Sequence, residues 1–235
     1  MRSSNAFLLA SVLAGFMPGG QDPAKAPPPV QGPATTAPAR AKKQARPADA
    51  AALFKLLTTM TGLEARFEEE KHLALLVLPL QSKGRLYFMR PGYLSRIVEQ
   101  PEPATLTISP SELRMASKTG VEIVDLRRSD KVRLFITSLV LVFAGDEEAL
   151  ARSYTIVFSP DPDSDSAWKL SLTPREPPLT QMIKQLCLRG EGEAVVEIEV
   201  QEPNGDRTIT RIVAADPERR FTAAEQKQLF GIQPQ

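Results

Sequence analysis

From Arg66 onward the chain alternates apolar and polar residues, and with interruptions it keeps this rhythm almost to its end. RFEEEKHLALLVL (66–78), GRLYFMR (84–90), LSRIVEQ (94–100), ATLTI (104–108), ELRMA (112–116) and VEIVDL (121–126) each read as a period-two strand, parted by Pro, Gly and Ser. Consecutive strands with joints this short predict an antiparallel meander rather than a parallel sheet with crossover helices. A helix precedes them, Ala48 to Thr59, with Leu53, Leu56, Leu57 and Met60 at helical spacing and Gly62 beyond its end.

The rhythm changes between Lys131 and Leu150. Val132, Phe135, Ile136, Leu139, Val140 and Phe143 form one stripe at helical spacing. Leu134, Leu141 and Val142 add apolar surface outside it, more than packing on a single side requires. Gly145 suits the end of this helix, and Asp146, Glu147 and Glu148 suit the start of a second short one. Strands resume with SYTIVFS and WKLSLTP. Leu179 to about Leu186 reads as a helical turn running into the strand IKQLCLRG. VVEIEVQE and DRTITRIVA flank Asn204-Gly205, a strong hairpin signal, and Thr222 to Glu225 is a capping box opening a last helix. The expectation is mainly β with α: about eleven antiparallel strands with a large helix inserted between them. A sheet that long must curl. Curled around the insert, it forms a container with two apolar walls.

Within this pattern one residue is out of place. Leu86, Phe88 and Arg90 alternate along GRLYFMR and therefore point the same way. A guanidinium on an apolar face needs a partner or an exit to water, since burying it alone is costly. Either it snorkels to solvent over its own aliphatic stem, or it meets groups able to accept its five donors.

Composition adds the segments before the domain. MRSSNAFLLASVLAGFMPGG has an early Arg, an apolar run from Ala6 to Met17 and then small residues. The run is too short to span a bilayer but has the form of a secretory signal, so residues 1–20 are expected to be a cleaved leader. The sole cysteine is Cys187, so no lipid-anchoring Cys follows it and a disulfide within the chain is excluded. Residues 21–47, dense in Pro and Ala and without aromatics, read as a flexible tether whose ARAKKQAR stretch is a solubilising run or a contact for anionic lipid. The domain is then 48–235. Setting aside the first 47 residues leaves 23 basic against 27 acidic side chains, so it is slightly acidic and does not suit nucleic acid.

Candidate chemistry is sparse. His72, the only histidine, sits among Glu68, Glu69, Glu70 and Lys71, and no nucleophile–base set can be assembled without it. Asp161-Pro-Asp163-Ser-Asp165 alternates like a calcium loop but lacks its Gly and distal Glu, and it reads as a polar turn. Gly190-Glu-Gly192 is a strand joint, and Cys187 a buried thiol. No metal or cofactor is expected and no catalytic residue is assigned; the chain reads as a non-enzyme.

The segment SKGRLYFMRPGYLSRIVEQPE, with Gly84, Arg90-Pro91 and Gln100-Pro101-Glu102, resembles the outer-membrane lipoprotein carrier (LolA-like) family. ARFEEEKHL, WKLSLTPR and NGDRT fall in register with it over residues 50 to 214. Arg96 stands where the family has an aromatic residue. LFITSLVLVFAGDEEALARSY is similar to a divergent branch linked to lipid or polyene-ester export. The resemblance implies a half-barrel with a helical lid, holding acyl chains in an apolar cavity. It implies a monomeric periplasmic carrier between an inner-membrane export complex and an outer-membrane acceptor, with acylated lipoprotein or other lipid-like cargo. It gives Arg90 the role of latching the lid through helix carbonyls. The cavity wall is then expected from Leu86, Phe88, Leu106, Phe135, Ile136, Leu139, Val140, Phe143 and Trp168. The same fold used to sense lipid or lipoprotein, without transport, is the alternative.

Overall fold

The structure is a computed structural model and describes residues 45–232. The expected leader, 1–20, and all of the tether up to residue 44 lie outside the described residues. One antiparallel sheet of eleven strands organises the rest, in the order β6-β5-β4-β3-β2-β1-β11-β10-β9-β8-β7. The strands are β1 (Gly62–His72), β2 (Leu80–Met89), β3 (Tyr93–Gln100), β4 (Ala104–Ile108), β5 (Glu112–Ser117), β6 (Gly120–Asp125), β7 (Tyr154–Pro160), β8 (Ala167–Pro174), β9 (Gln185–Glu191), β10 (Ala194–Gln201) and β11 (Arg207–Asp216). Two meanders, β1 to β6 and β7 to β11, meet where β1 pairs with β11, so the chain's first and last strands are central and β6 and β7 are open edges. This is the curled antiparallel sheet the pattern predicts and the unclosed half-barrel the resemblance implies.

Four helices occur among the described residues: α1 (Ala50–Thr59), α2 (Asp130–Ala144), α3 (Glu147–Ser153) and α4 (Ala223–Phe230). Local chemistry sets their ends. The Asp49 carboxylate accepts from Ala52 N–H at 2.8 Å and caps α1, and Asp146 does the same for α3 through Ala149 N–H at 3.0 Å. The capping box at Thr222 and Glu225 opens α4 as expected. Gly145 ends α2 at φ +73°, a left-handed cap that glycine adopts without steric cost.

Alternation decides the two faces of the sheet. Leu63, Ala65 and Phe67 of β1, Leu86 and Phe88 of β2, and Leu186 and Leu188 of β9 point inward with the core, where α1, α2 and the 3-10 turn Leu179–Gln181 cover them. The outer face is polar, with a ladder of Arg189, Glu197, Glu199, Arg211 and Glu70 across four strands. One patch of it is covered by α4, where Phe230 and Phe221 meet edge-on, Phe221 packs against Tyr87, and Phe230 against Tyr93. Cys187 is buried but faces outward, its Sγ 3.2 Å from Gln185 Oε1.

The first strand is shorter than its sequence suggests. The alternating run was expected to continue to Leu78, yet β1 ends at His72, and residues 73–79 form a loop. Pro79 has no N–H for a ladder, Ala74 N–H goes to Asp206 Oδ1 at 2.9 Å, and Leu76 N–H turns back to Leu73 O at 2.9 Å. His72 closes the strand, half-buried, with Nε2 3.4 Å from Glu70 Oε2. Asp161 to Asp165 form the β7–β8 turn, in which Asp161 Oδ1 accepts from Asp163 N–H.

Candidate functional site

A cavity of about 470 Å³ lies between the concave face and the two helices above it. Its floor comes from the middle of the sheet: Leu63, Ala65 and Leu86 on one side of the β1–β11 seam, Leu186, Leu188, Ile198 and Ile212 on the other. Leu56 and Leu57 of α1, Met60 just past its end, and Leu139, Val142 and Phe143 of α2 form the roof. Polar side chains in the lining are confined to Thr59, Glu193 and Glu218. All three are exposed and lie at one end of the sheet, at the α1 terminus, the β9–β10 turn and the exit from β11, so they mark the mouth. The interior side chains are apolar and offer a ligand no hydrogen bond, a surface suited to hydrocarbon.

The sequence-derived wall residues divide in two. Leu86, Leu139 and Phe143 line the cavity. Phe88 lies beside it, fully buried and stacked on Phe143 at 5.7 Å between centroids. Phe135 and Ile136 are in the packed core under α2, and Val140 is half-buried against Gly92. Leu106 lies in the next row of the sheet, beside Arg96. Trp168 is across the fold: its Nε1 donates to Gly192 O at 2.8 Å, and its ring stacks on Phe158. Gly190 lies beneath it, where a Cβ would come within 1.9 Å of the indole. Sequence reasoning did not place Leu56, Leu57, Leu186, Leu188, Ile198 and Ile212 in the wall, although helical spacing groups the first two and period-two spacing in IKQLCLRG, VVEIEVQE and DRTITRIVA puts the strand members on one face.

Arg90 follows the last residue of β2 and stands where α1 and α2 converge. Its Nε donates to Met60 O at 2.8 Å; its Nη2 reaches Leu57 O at 3.0 Å, Thr58 O at 3.1 Å and Ala144 O at 3.1 Å. These carbonyls belong to the last turns of both helices, where intrahelical donors run out and the helix dipoles are negative. One cation therefore links both roof helices to the sheet. The helices also touch directly: a Cβ on Gly145 would lie 2.6 Å from Phe54 O and 2.8 Å from Thr58 N. That close approach, with the positive φ, explains glycine there.

A second arginine lies deeper. Arg96, facing inward one row below Leu94, donates to Glu69 Oε1 at 2.8 Å and sits 4.5 Å over the Phe67 ring. Glu69 also accepts from Thr210 Oγ1 at 2.8 Å and Ser82 Oγ at 3.3 Å. On the inner face of the sheet, outside the cavity lining, Arg96, Glu69, Thr210 and Ser82 thus form a polar knot that neutralises itself. Among the described residues no three His, Cys, Asp or Glu side chains are grouped to hold a metal, and no helix is long and apolar enough to cross a membrane.

A family model described as outer membrane lipoprotein carrier protein LolA-like matches residues 42–229. No functionally curated protein matches the chain. Similar solved structures include a DUF1329 family protein from Desulfovibrio piger, at 12% identity and a TM-score of 0.44, covering 77% of this chain and 96% of that one. A LolA superfamily protein from Nitrosomonas europaea aligns at 7% identity and a TM-score of 0.40, covering 75% and 96%. The MucA/MucB complex of Pseudomonas aeruginosa aligns at 11% and 0.41, covering 71% of this chain and 56% of that one.

Proposed function

The chain belongs to the LolA-like family of outer membrane lipoprotein carrier proteins, and from that premise we propose that it is a periplasmic carrier that takes acyl chains of lipoproteins or related lipid cargo into the cavity under α1 and α2 and passes them from the inner to the outer membrane. The observation that carries this reading is the cavity itself: about 470 Å³, apolar throughout its interior, with polar residues only at its mouth. Each acyl CH₂ buried there contributes about 0.8 kcal/mol, so a single chain binds firmly without any polar contact. No catalytic role is needed for such a task. Residues 1–20 would direct export and 21–47 would tether the domain.

Release needs a competing state, and Arg90 supplies one. With the cavity empty, its hydrogen bonds to Met60, Leu57, Thr58 and Ala144 hold α1 and α2 against the sheet. A bound chain that lifts the helices exchanges these bonds for hydrophobic burial. The closed empty state and the open loaded state are then close in energy, as a carrier requires.

Native mass spectrometry of protein recovered after export tests the proposal. The expected spectrum contains a population carrying an acylated molecule, exchangeable for an added fluorescent fatty acyl probe. A protein that neither copurifies with nor takes up any acylated molecule overturns it.

A further inference from the structure

The loop joining β1 to β2 presents four consecutive aliphatic side chains to solvent: Leu75 at 96% exposure, Leu76 at 49%, Val77 at 99% and Leu78 at 77%. This lies outside the cavity. Gly62 begins β1 beside Glu218 at the mouth, and the loop follows His72 at the strand's other end. We propose that residues 75–78 are a membrane-docking tip that inserts into an anionic phospholipid bilayer.

Three observations favour a bilayer over a protein groove. The first is shape. Four successive residues are exposed, so the side chains point all round a convex tip, whereas a groove would cover one side and leave the others wet. A bilayer interface surrounds the tip and accepts all four. The second is preorganisation. Ala74 N–H is held by Asp206 Oδ1, whose own turn is tied by Asn204, and Leu76 N–H is held by Leu73 O. The tip is therefore a built projection from a paired hairpin, and little ordering is left for the moment of docking. The third is charge. The tip itself carries no charge; Lys71 and Lys83 flank it on its two strands, and the acidic neighbours Glu68, Glu202 and Asp206 lie at its base rather than on it. The tip lacks aromatic residues and arginine, the side chains enriched at protein interfaces.

Docking by this end leaves the mouth at Thr59, Glu193 and Glu218 uncovered, so the protein can sit on a bilayer while its cavity remains open to a second partner. The inference does not depend on what the cavity holds.

The test places an environment-sensitive fluorophore on Leu76→Cys in the full chain, where Cys187 is buried, with the unsubstituted chain carried through labelling as the control, and titrates vesicles of phosphatidylethanolamine with phosphatidylglycerol. The expected result is a blue-shifted, stronger emission. In a Leu75→Asp/Val77→Asp background, the lipid concentration for half the change should rise about tenfold or more. Both background substitutions sit at solvent-exposed positions, and the double variant should retain wild-type uptake of an acyl probe, which separates this inference from the cargo reading. Emission that ignores vesicles, or an equal response in the double variant, overturns the proposal. So does a blue shift that follows protein concentration without lipid, which would assign the tip to a second copy of the chain.

Discussion

Arg96 and Glu69 form an ion pair on the inner face of the sheet, 2.8 Å apart, with side-chain exposures of 6% and 2%. They come from strands separated by β2, and the pair closes the lower end of the apolar face. An aromatic residue at position 96 would extend the hydrophobic wall; the arginine, roofed on Phe67, ends it instead.

The pair should behave asymmetrically under mutation. Arg96→Met takes the cation away from Glu69, and Glu69→Leu takes the anion away from Arg96; each alone should cost about 3–5 kcal/mol, whereas the double variant should recover part of the loss. Urea unfolding of all four proteins in one cycle measures this. Additive losses would show that the pairing itself matters little.

Removing the roof link has a different signature. Arg90→Leu should lower the stability of the empty protein by about 2–4 kcal/mol, since charge-assisted hydrogen bonds to helix-end carbonyls are lost. It should still take up an acyl probe but release it more slowly than the wild type, because the closed state no longer competes. Probe displacement followed by stopped flow, beside thermal melts, reads both effects. Unchanged release would refute the latch.

Filling the floor should abolish binding without unfolding the sheet. Ala65 is nearly inaccessible and faces the cavity from the middle of β1. Ala65→Phe should block acyl-probe uptake while costing no more than about 1–3 kcal/mol of stability, the usual range for overpacking. Fluorescence titration and a melt suffice.

Glu202, in the β10–β11 turn, should make the protein less stable as pH rises through the acidic range. Burial holds its carboxyl above the ordinary carboxylate range, with Lys71 opposing the shift and Asp206 adding to it. The folded state therefore binds the proton more tightly than the unfolded state. Its stabilising contribution is complete below the unfolded pKa and is lost as pH rises through the folded one. Glu202→Gln should melt higher than the wild type at pH 7, with the advantage shrinking towards pH 4. An advantage independent of pH would point to another cause.

The surroundings of Arg90 also mark how far the sequence reaches. Alternation in GRLYFMR identified an arginine beside an apolar face, and resemblance supplied a role for it. The actual acceptors come from residues 57 to 60 and from 144, and no local pattern connects those positions to 90. For the wall, helical spacing groups Leu139 and Phe143, which line the cavity, with Phe135 and Ile136, which lie in the packed core. A stripe on an over-apolar helix records burial, and it carries no record of whether the neighbour is a packed side chain or space. Trp168, which the resemblance placed in the wall, packs over Gly190.

Taken alone, the sequence determined the element types, their order and most of their ends, because backbone periodicity, capping side chains and turn residues act over a few positions. It also determined that a sheet of about eleven strands would curl. Tertiary structure decided three things the local signals could not: that the two meanders join through β1 and β11, that the space beneath α1 and α2 stays open, and that LALLVL leaves the strand to project as a loop. Each depends on partners far apart in the chain, such as Asp206 holding Ala74 or Glu69 meeting Arg96 across β2, and hydrogen bonds and ion pairs of that range leave no period to read.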